Sequence, residues 1–187
     1  YRPPDNLPDL GPLPALRNNY VTFGMFNDTN KINEPVMALW AKIVYAVPGA
    51  RLLIKSRAAG DPAWCRRLRQ ILGRLGLEST RVQIEGQKSN WDYFQLYNQV
   101  DIALDSYPYN GTTTMCDALW MGVPVVSLVG RHHVSRVGLS ILSQVGLEFF
   151  AAATADEYCA KAVALAGKLD ALAQIRASLR HRVMNSP

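Results

Sequence analysis

Val100-Asp101-Ile102-Ala103-Leu104-Asp105 runs into Ser106-Tyr107-Pro108-Tyr109-Asn110-Gly111-Thr112, then Thr113-Thr114-Met115-Cys116-Asp117-Ala118-Leu119-Trp120-Met121, then Gly122-Val123-Pro124-Val125-Val126. Val100 to Asp105 is an almost continuous apolar run, the form a strand takes inside a parallel sheet. Thr113 to Met121 reads as a helix closed by Gly122, and Val123 to Val129 as another buried strand.

The same alternation extends upstream. Val21 to Phe26 reads as a strand. Glu34 to Val47 carries Val36, Leu39, Trp40, Ile43 and Val44 at helical spacing and stops at Pro48-Gly49. Arg51 to Lys55 is a short buried strand, Pro62 to Leu75 a helix ending at Gly76, Arg81 to Glu85 a strand, and Trp91 to Asn98 a short helix. Downstream, Ser135 to Val145, Asp156 to Lys168 and Asp170 to Arg182 read as helices. Strands alternating with helices predict an α/β fold: a Rossmann-like parallel sheet with helices on both faces. The 187 residues suffice for one domain with a real core. Residues 1–19, which open on Tyr1-Arg2-Pro3-Pro4-Asp5, read as a linker cut from a longer protein, and 20–187 as the domain.

Composition excludes several classes. No stretch is long and apolar enough to cross a bilayer, and no secretory signal opens the chain. The net charge is +5, and basic residues cluster in Arg66, Arg67, Arg69 and Arg74 and in Arg176, Arg180 and Arg182, whose spacing suggests solvated helix faces rather than a nucleic-acid surface. Cys65, Cys116 and Cys159 are widely separated and lack metal spacing, so reduced, cytoplasmic thiols are expected and no metal site.

In open parallel sheets, ligands bind beyond the carboxyl ends of the strands. Four segments lie there: 27–32, 86–93, 106–114 and 130–136. The third is the most informative. Gly111 permits a tight turn and close approach to a ligand. Thr112, Thr113 and Thr114 then lead into a helix whose free N–H groups and positive dipole end attract phosphate, with hydroxyls as added donors. Asp117 would repel a diphosphate, so a functional Asp117 faces ribose hydroxyls; Thr114-x-x-Asp117 is equally a plain capping arrangement. Lys31 lies near the same edge and can neutralise phosphate as a point charge, or be a surface residue. His132-His133 can donate to a departing phosphate or a sugar hydroxyl, or be exposed loop residues. Ser135 is expected to cap the helix after it. Tyr93 and Trp91 can stack on a base, or pack in the core. Asp101 and Asp105, at opposite ends of one strand, are too far apart for a catalytic pair or a metal.

Phe26-Asn27-x-x-x-Lys31-Ile32, Asp101-Ile102-Ala103-Leu104-Asp105, Pro108-Tyr109-Asn110-Gly111-Thr112-Thr113-Thr114, Ala118-Leu119-Trp120-Met121-Gly122-Val123-Pro124-Val125-Val126 and Ser135-Arg136-Val137-Gly138 together resemble the O-linked N-acetylglucosaminyltransferase/SPINDLY family, and its bacterial members with tetratricopeptide repeats most closely. The resemblance implies the C-terminal, donor-binding domain of a GT-B glycosyltransferase. It implies N-acetylglucosamine transfer from UDP-GlcNAc to protein Ser and Thr hydroxyls, needing no metal or other cofactor. By motif, Lys31 resembles the lysine on the diphosphate that stabilises the leaving group, Thr113 and Thr114 the threonines on the phosphates, and Asp117 the aspartate on the ribose. Tyr93 falls where animal members place a histidine against uracil. Thr112 stands where they have histidine, and Asp28 where they have glutamine near the donor. A base-contacting lysine near Asn90 is absent, with Lys88 close by. The departures leave open another donor such as GDP-fucose, as in plant SPINDLY proteins, or a degenerate non-catalytic module. The expected partners are a nucleotide sugar and, through regions beyond this chain, a protein acceptor; the isolated domain is expected to transfer nothing.

Overall fold

The computed structural model describes residues 1–186. Six strands form one wholly parallel sheet: β1 (Thr22–Met25), β2 (Arg51–Lys55), β3 (Val82–Glu85), β4 (Ile102–Leu104), β5 (Val125–Leu128) and β6 (Ala151–Ala152), in the order β3-β2-β1-β4-β5-β6. The reversal of winding falls between β1 and β4, where such sheets open a ligand crevice. The fold is thus the Rossmann-like one the alternation predicts. The sixth strand was not expected: two alanines carry no readable apolar pattern.

Among the described residues, eight helices connect and cover the sheet: α1 (Ala15–Asn18), α2 (Glu34–Ala46), α3 (Pro62–Arg74), α4 (Asn90–Leu96), α5 (Thr113–Trp120), α6 (Val137–Gln144), α7 (Ala155–Ala166) and α8 (Leu169–Met184). Local chemistry sets their ends. Asn33 caps α2 by accepting from Val36 N–H, Asp61 caps α3 through Ala63 N–H, and Thr154 caps α7 through Glu157 N–H. Trp40, Ile43 and Val44 of α2 are fully buried and join Phe23, Leu52, Ile54, Ile102 and Val126 in the core. Gly122, at φ +69°, turns the chain out of α5 into β5, a conformation that favours glycine.

Three expectations need correction. Residues 1–19, read as a linker, are docked on the body. Leu13 and Ala15 are buried in the core, and Gly11 N–H and Ala15 N–H donate to the side chains of Asn98 and Asp101. Arg66, Arg67, Arg69 and Arg74 are exposed on α3 as expected, but Arg176 of α8 is 2% exposed. Its guanidinium donates to the carbonyls of Gly11 and Val100 at 2.9 and 3.0 Å and to Asn98 Oδ1 at 3.2 Å, and those acceptors make the burial tolerable. Ser135 does not cap α6. It ends a short 3₁₀ turn and donates to the His132 carbonyl, so α6 starts two residues later without a side-chain cap.

Candidate donor site

Asp105, at the end of β4, organises the loop ahead of α5. Its Oδ1 accepts from Gly111 N–H at 2.8 Å, Ser106 N–H at 2.9 Å and Asn27 Nδ2 at 3.2 Å, and its Oδ2 accepts from Ser127 Oγ at 2.7 Å. Burial nevertheless pushes its carboxyl up to about 6, because those donors only partly offset the lost water. Asn110 extends the frame: its side chain donates to the Ser106 carbonyl, its N–H to the Val134 carbonyl, and its Oδ1 accepts from Gly138 N–H. Gly111 is buried against Asn27 and Thr114, and a Cβ there would lie 2.5 Å from Asn27 Oδ1. The loop is therefore fixed by side chains the sequence reading left without a role, Asn27, Asp105 and Asn110. A polar side chain closing a buried strand at its ligand end was the available signal.

No side chain caps α5, so its first-turn N–H groups remain free to take an anion. Thr114-x-x-Asp117 is thus not a capping box. Thr114 Oγ1 donates to Asn27 Oδ1. Asp117 is turned toward hydroxyl donors: Oδ1 accepts from Tyr1 and Oδ2 from Tyr93 at 2.8 Å. Desolvation raises its carboxyl, and the two tyrosine hydroxyls counteract that.

A cleft of about 430 Å³ opens over this helix start. Asp28, Lys88, Tyr93, Thr113, Thr114 and Asp117, all singled out in the sequence, line it. Lys55 also lines it and was not foreseen. Lys31 stands beside the loop; its Nζ donates to the Asn110 carbonyl at 2.9 Å and lies 4.0 Å from the centre of the Tyr109 ring. Burial lowers its ammonium, and Asp105 and Asp28 oppose that. Asp28 spends its carboxylate on the Asn30 N–H of its own turn, and Lys88 pairs with Glu85 at 2.8 Å. Tyr93 packs edge-on against Phe94 and Tyr97, and Lys55 Nζ lies over its ring at 4.7 Å. Thr112 and His133 fall elsewhere: with Arg136 they line a separate pocket of about 600 Å³. Trp91 is half exposed and outside the cleft lining. Among the described residues, no group of His, Cys, Asp or Glu is placed to hold a metal ion.

Residues 13–187 match the model of glycosyl transferase family 41. The chain belongs to that family. This family 41 domain is 43% identical over its full length to the Hordeum vulgare protein named "Probable UDP-N-acetylglucosamine--peptide N-acetylglucosaminyltransferase SPINDLY", of which it spans 20%. It is 30% identical, over 88% of its length and 14% of the relative's, to the Caenorhabditis elegans UDP-N-acetylglucosamine--peptide N-acetylglucosaminyltransferase. A mutant Thermobaculum terrenum O-GlcNAc transferase superimposes with a TM-score of 0.91 at 37% identity, over 97% of this chain and 34% of that one. Staphylococcus aureus TarM, 12% identical with a TM-score of 0.66, shares the fold alone. No helix among the described residues is long and apolar enough to cross a membrane.

Proposed function

We propose that this chain is the donor-binding half of a glycosyltransferase that moves N-acetylglucosamine from UDP-GlcNAc to Ser and Thr hydroxyls of proteins. The observation that carries the reading is the uncapped start of α5, with Thr113 and Thr114 lining the cleft over it and the Lys31 ammonium on the Asn110 carbonyl of the loop that leads into it, in a family 41 domain. The diphosphate sits at the helix start, and the ribose diol takes Asp117. As the acceptor oxygen displaces the diphosphate at the anomeric carbon with inversion, negative charge grows on the departing phosphate. Lys31, the helix dipole and the threonine hydroxyls meet that charge, so no metal is required. Acceptor groups come from parts of the longer protein beyond this chain, which spans a fifth of its plant relatives. The reading places the whole protein in the cytoplasm with tetratricopeptide repeats.

Calorimetric titration with uridine and guanosine diphosphates tests it. Weak binding that falls about tenfold in Lys31→Met, the loss of one charge-assisted contact, is expected. No binding of either would favour a degenerate module. Tighter binding of the guanosine form would favour a donor such as GDP-fucose. The isolated chain should transfer no sugar.

A further inference from the structure

Lys55 ends β2 at the ligand edge of the sheet, its register partner being Glu85 of β3. Its side chain is half-buried, yet among the described residues it makes no ion pair and no hydrogen bond. The other cations of the cleft differ: Lys88 is paired with Glu85, and Arg57 is exposed. Burial lowers the Lys55 ammonium, the Arg57 guanidinium lowers it further, and Asp117 raises it. A cation that loses water and gains only an aromatic face, in a cleft, points to a ligand contact.

Its position along the cleft says which part of the ligand it meets. Thr113 and Thr114 mark the phosphate end at the start of α5, and Asp117 lies one turn further along. Tyr93 donates to Asp117, and Lys55 lies over the Tyr93 ring. Lys55 thus groups with Tyr93 and Asp117 in the cleft, and the nucleobase falls on that group if the donor-site reading holds. An ammonium only donates. Uracil and guanine offer a ring carbonyl oxygen, whereas cytosine and adenine present an amino donor at the corresponding position.

Resting on that reading, we propose that Lys55 is a base-specificity residue whose ammonium donates to a ring carbonyl oxygen, selecting oxo bases over amino bases. Tyr93 then serves as a positioning residue, carrying Lys55 on its ring and steering Asp117 with its hydroxyl.

The test is a parallel titration of the 187-residue chain with uridine, cytidine, guanosine and adenosine diphosphates, repeated on Lys55→Met and Lys55→Gln. The parent should prefer uridine over cytidine diphosphate, or guanosine over adenosine diphosphate, by about tenfold, the worth of one charged hydrogen bond. Lys55→Met should abolish that preference by weakening only the oxo base. Lys55→Gln, whose amide both donates and accepts, should bring the two bases of a pair within a few-fold of each other. Equal weakening of all four in Lys55→Met would make Lys55 a phosphate contact and overturn the proposal. So would a parent that binds all four alike, although the donor site would then stand. A parent that binds none overturns the donor site and this proposal together.

Discussion

Two cations lie inside this domain at opposite ends of the sheet, and they are held in opposite ways. Arg176, at the entry to β4, is the more deeply buried, and its guanidinium is met by three carbonyls and the Asn98 side chain at 2.9–3.4 Å. Burial lowers it to about 10, with Asp101 countering, so it stays charged throughout the neutral range. Lys55, at the exit of β2, is less buried yet has only an aromatic face beneath it. A saturated buried charge fastens segments together. An unsaturated one at a ligand edge leaves its donors for something that arrives later.

The contrast breaks most visibly at Arg176. Arg176→Met should leave the Gly11 and Val100 carbonyls without their donor and lower stability by about 3 kcal/mol, roughly 6–12 °C in thermal midpoint. Nucleotide affinity of the molecules that remain folded should be unchanged. A urea midpoint within error of the parent would show that the saturated cation is not structural.

Gly111→Ala probes the other end. The added Cβ would press on Asn27 Oδ1 and Thr114 Oγ1, displacing the loop that presents the helix start. Diphosphate affinity should fall more than tenfold, with a stability cost of about 1–3 kcal/mol from overpacking. Unchanged affinity by calorimetry would remove this loop from the site.

Asp105 tests how far the loop depends on a buried anion. Its folded-state value of about 6 lies above the roughly 3.9 of an unfolded chain. The native state therefore holds the proton more tightly between those values. This group's contribution to stability grows as pH falls through 6 and is complete below about 4. Asp105→Asn lacks that contribution. The stability of the variant minus that of the parent, from urea curves, should drop steadily from pH 7 to pH 4; a flat difference would contradict the assignment.

The smallest effect belongs to a cation that is paired but exposed. Lys42 bonds Asp156 at 2.9 Å on the surface. Lys42→Met should leave the urea midpoint unchanged, because exposed pairs gain little over hydrated charges. A clear loss would mean that pairing matters even without burial.

Local signals were legible in the sequence, and long-range ones were not. The alternation of apolar strands and amphipathic helices is local, so the fold class and five of the six strands could be read directly. The helix start at Thr113 was equally legible, because glycine and threonines ahead of an apolar helix have few uses. Arg176 and Lys55 defeat such reading for a shared reason. Their meaning depends on groups far along the chain: the Gly11 carbonyl, 165 residues away, for the first, and Tyr93 and Asp117 for the second. Arg176 has the spacing of a solvated face only until the opening segment folds over it. Asn27 and Asp105 carry no role in the sequence pattern because their work is to hold Gly111 and Thr114, which no linear spacing reveals. Thr112, next in sequence to the cleft-lining Thr113, lines another pocket together with His133, which linear spacing does not reveal.

The two hydroxyls on Asp117 carry a consequence for recognition. Tyr1 and Tyr93 supply one donor to each carboxylate oxygen. On the proposed reading, a ribose hydroxyl takes the place of Tyr1 while Tyr93 keeps its bond, and the number of bonds at the carboxylate is conserved. Such an exchange is nearly neutral in free energy. The pentose then acts as a ruler rather than an adhesive, setting the distance between the phosphates and the base while the charged ends of the molecule supply the grip.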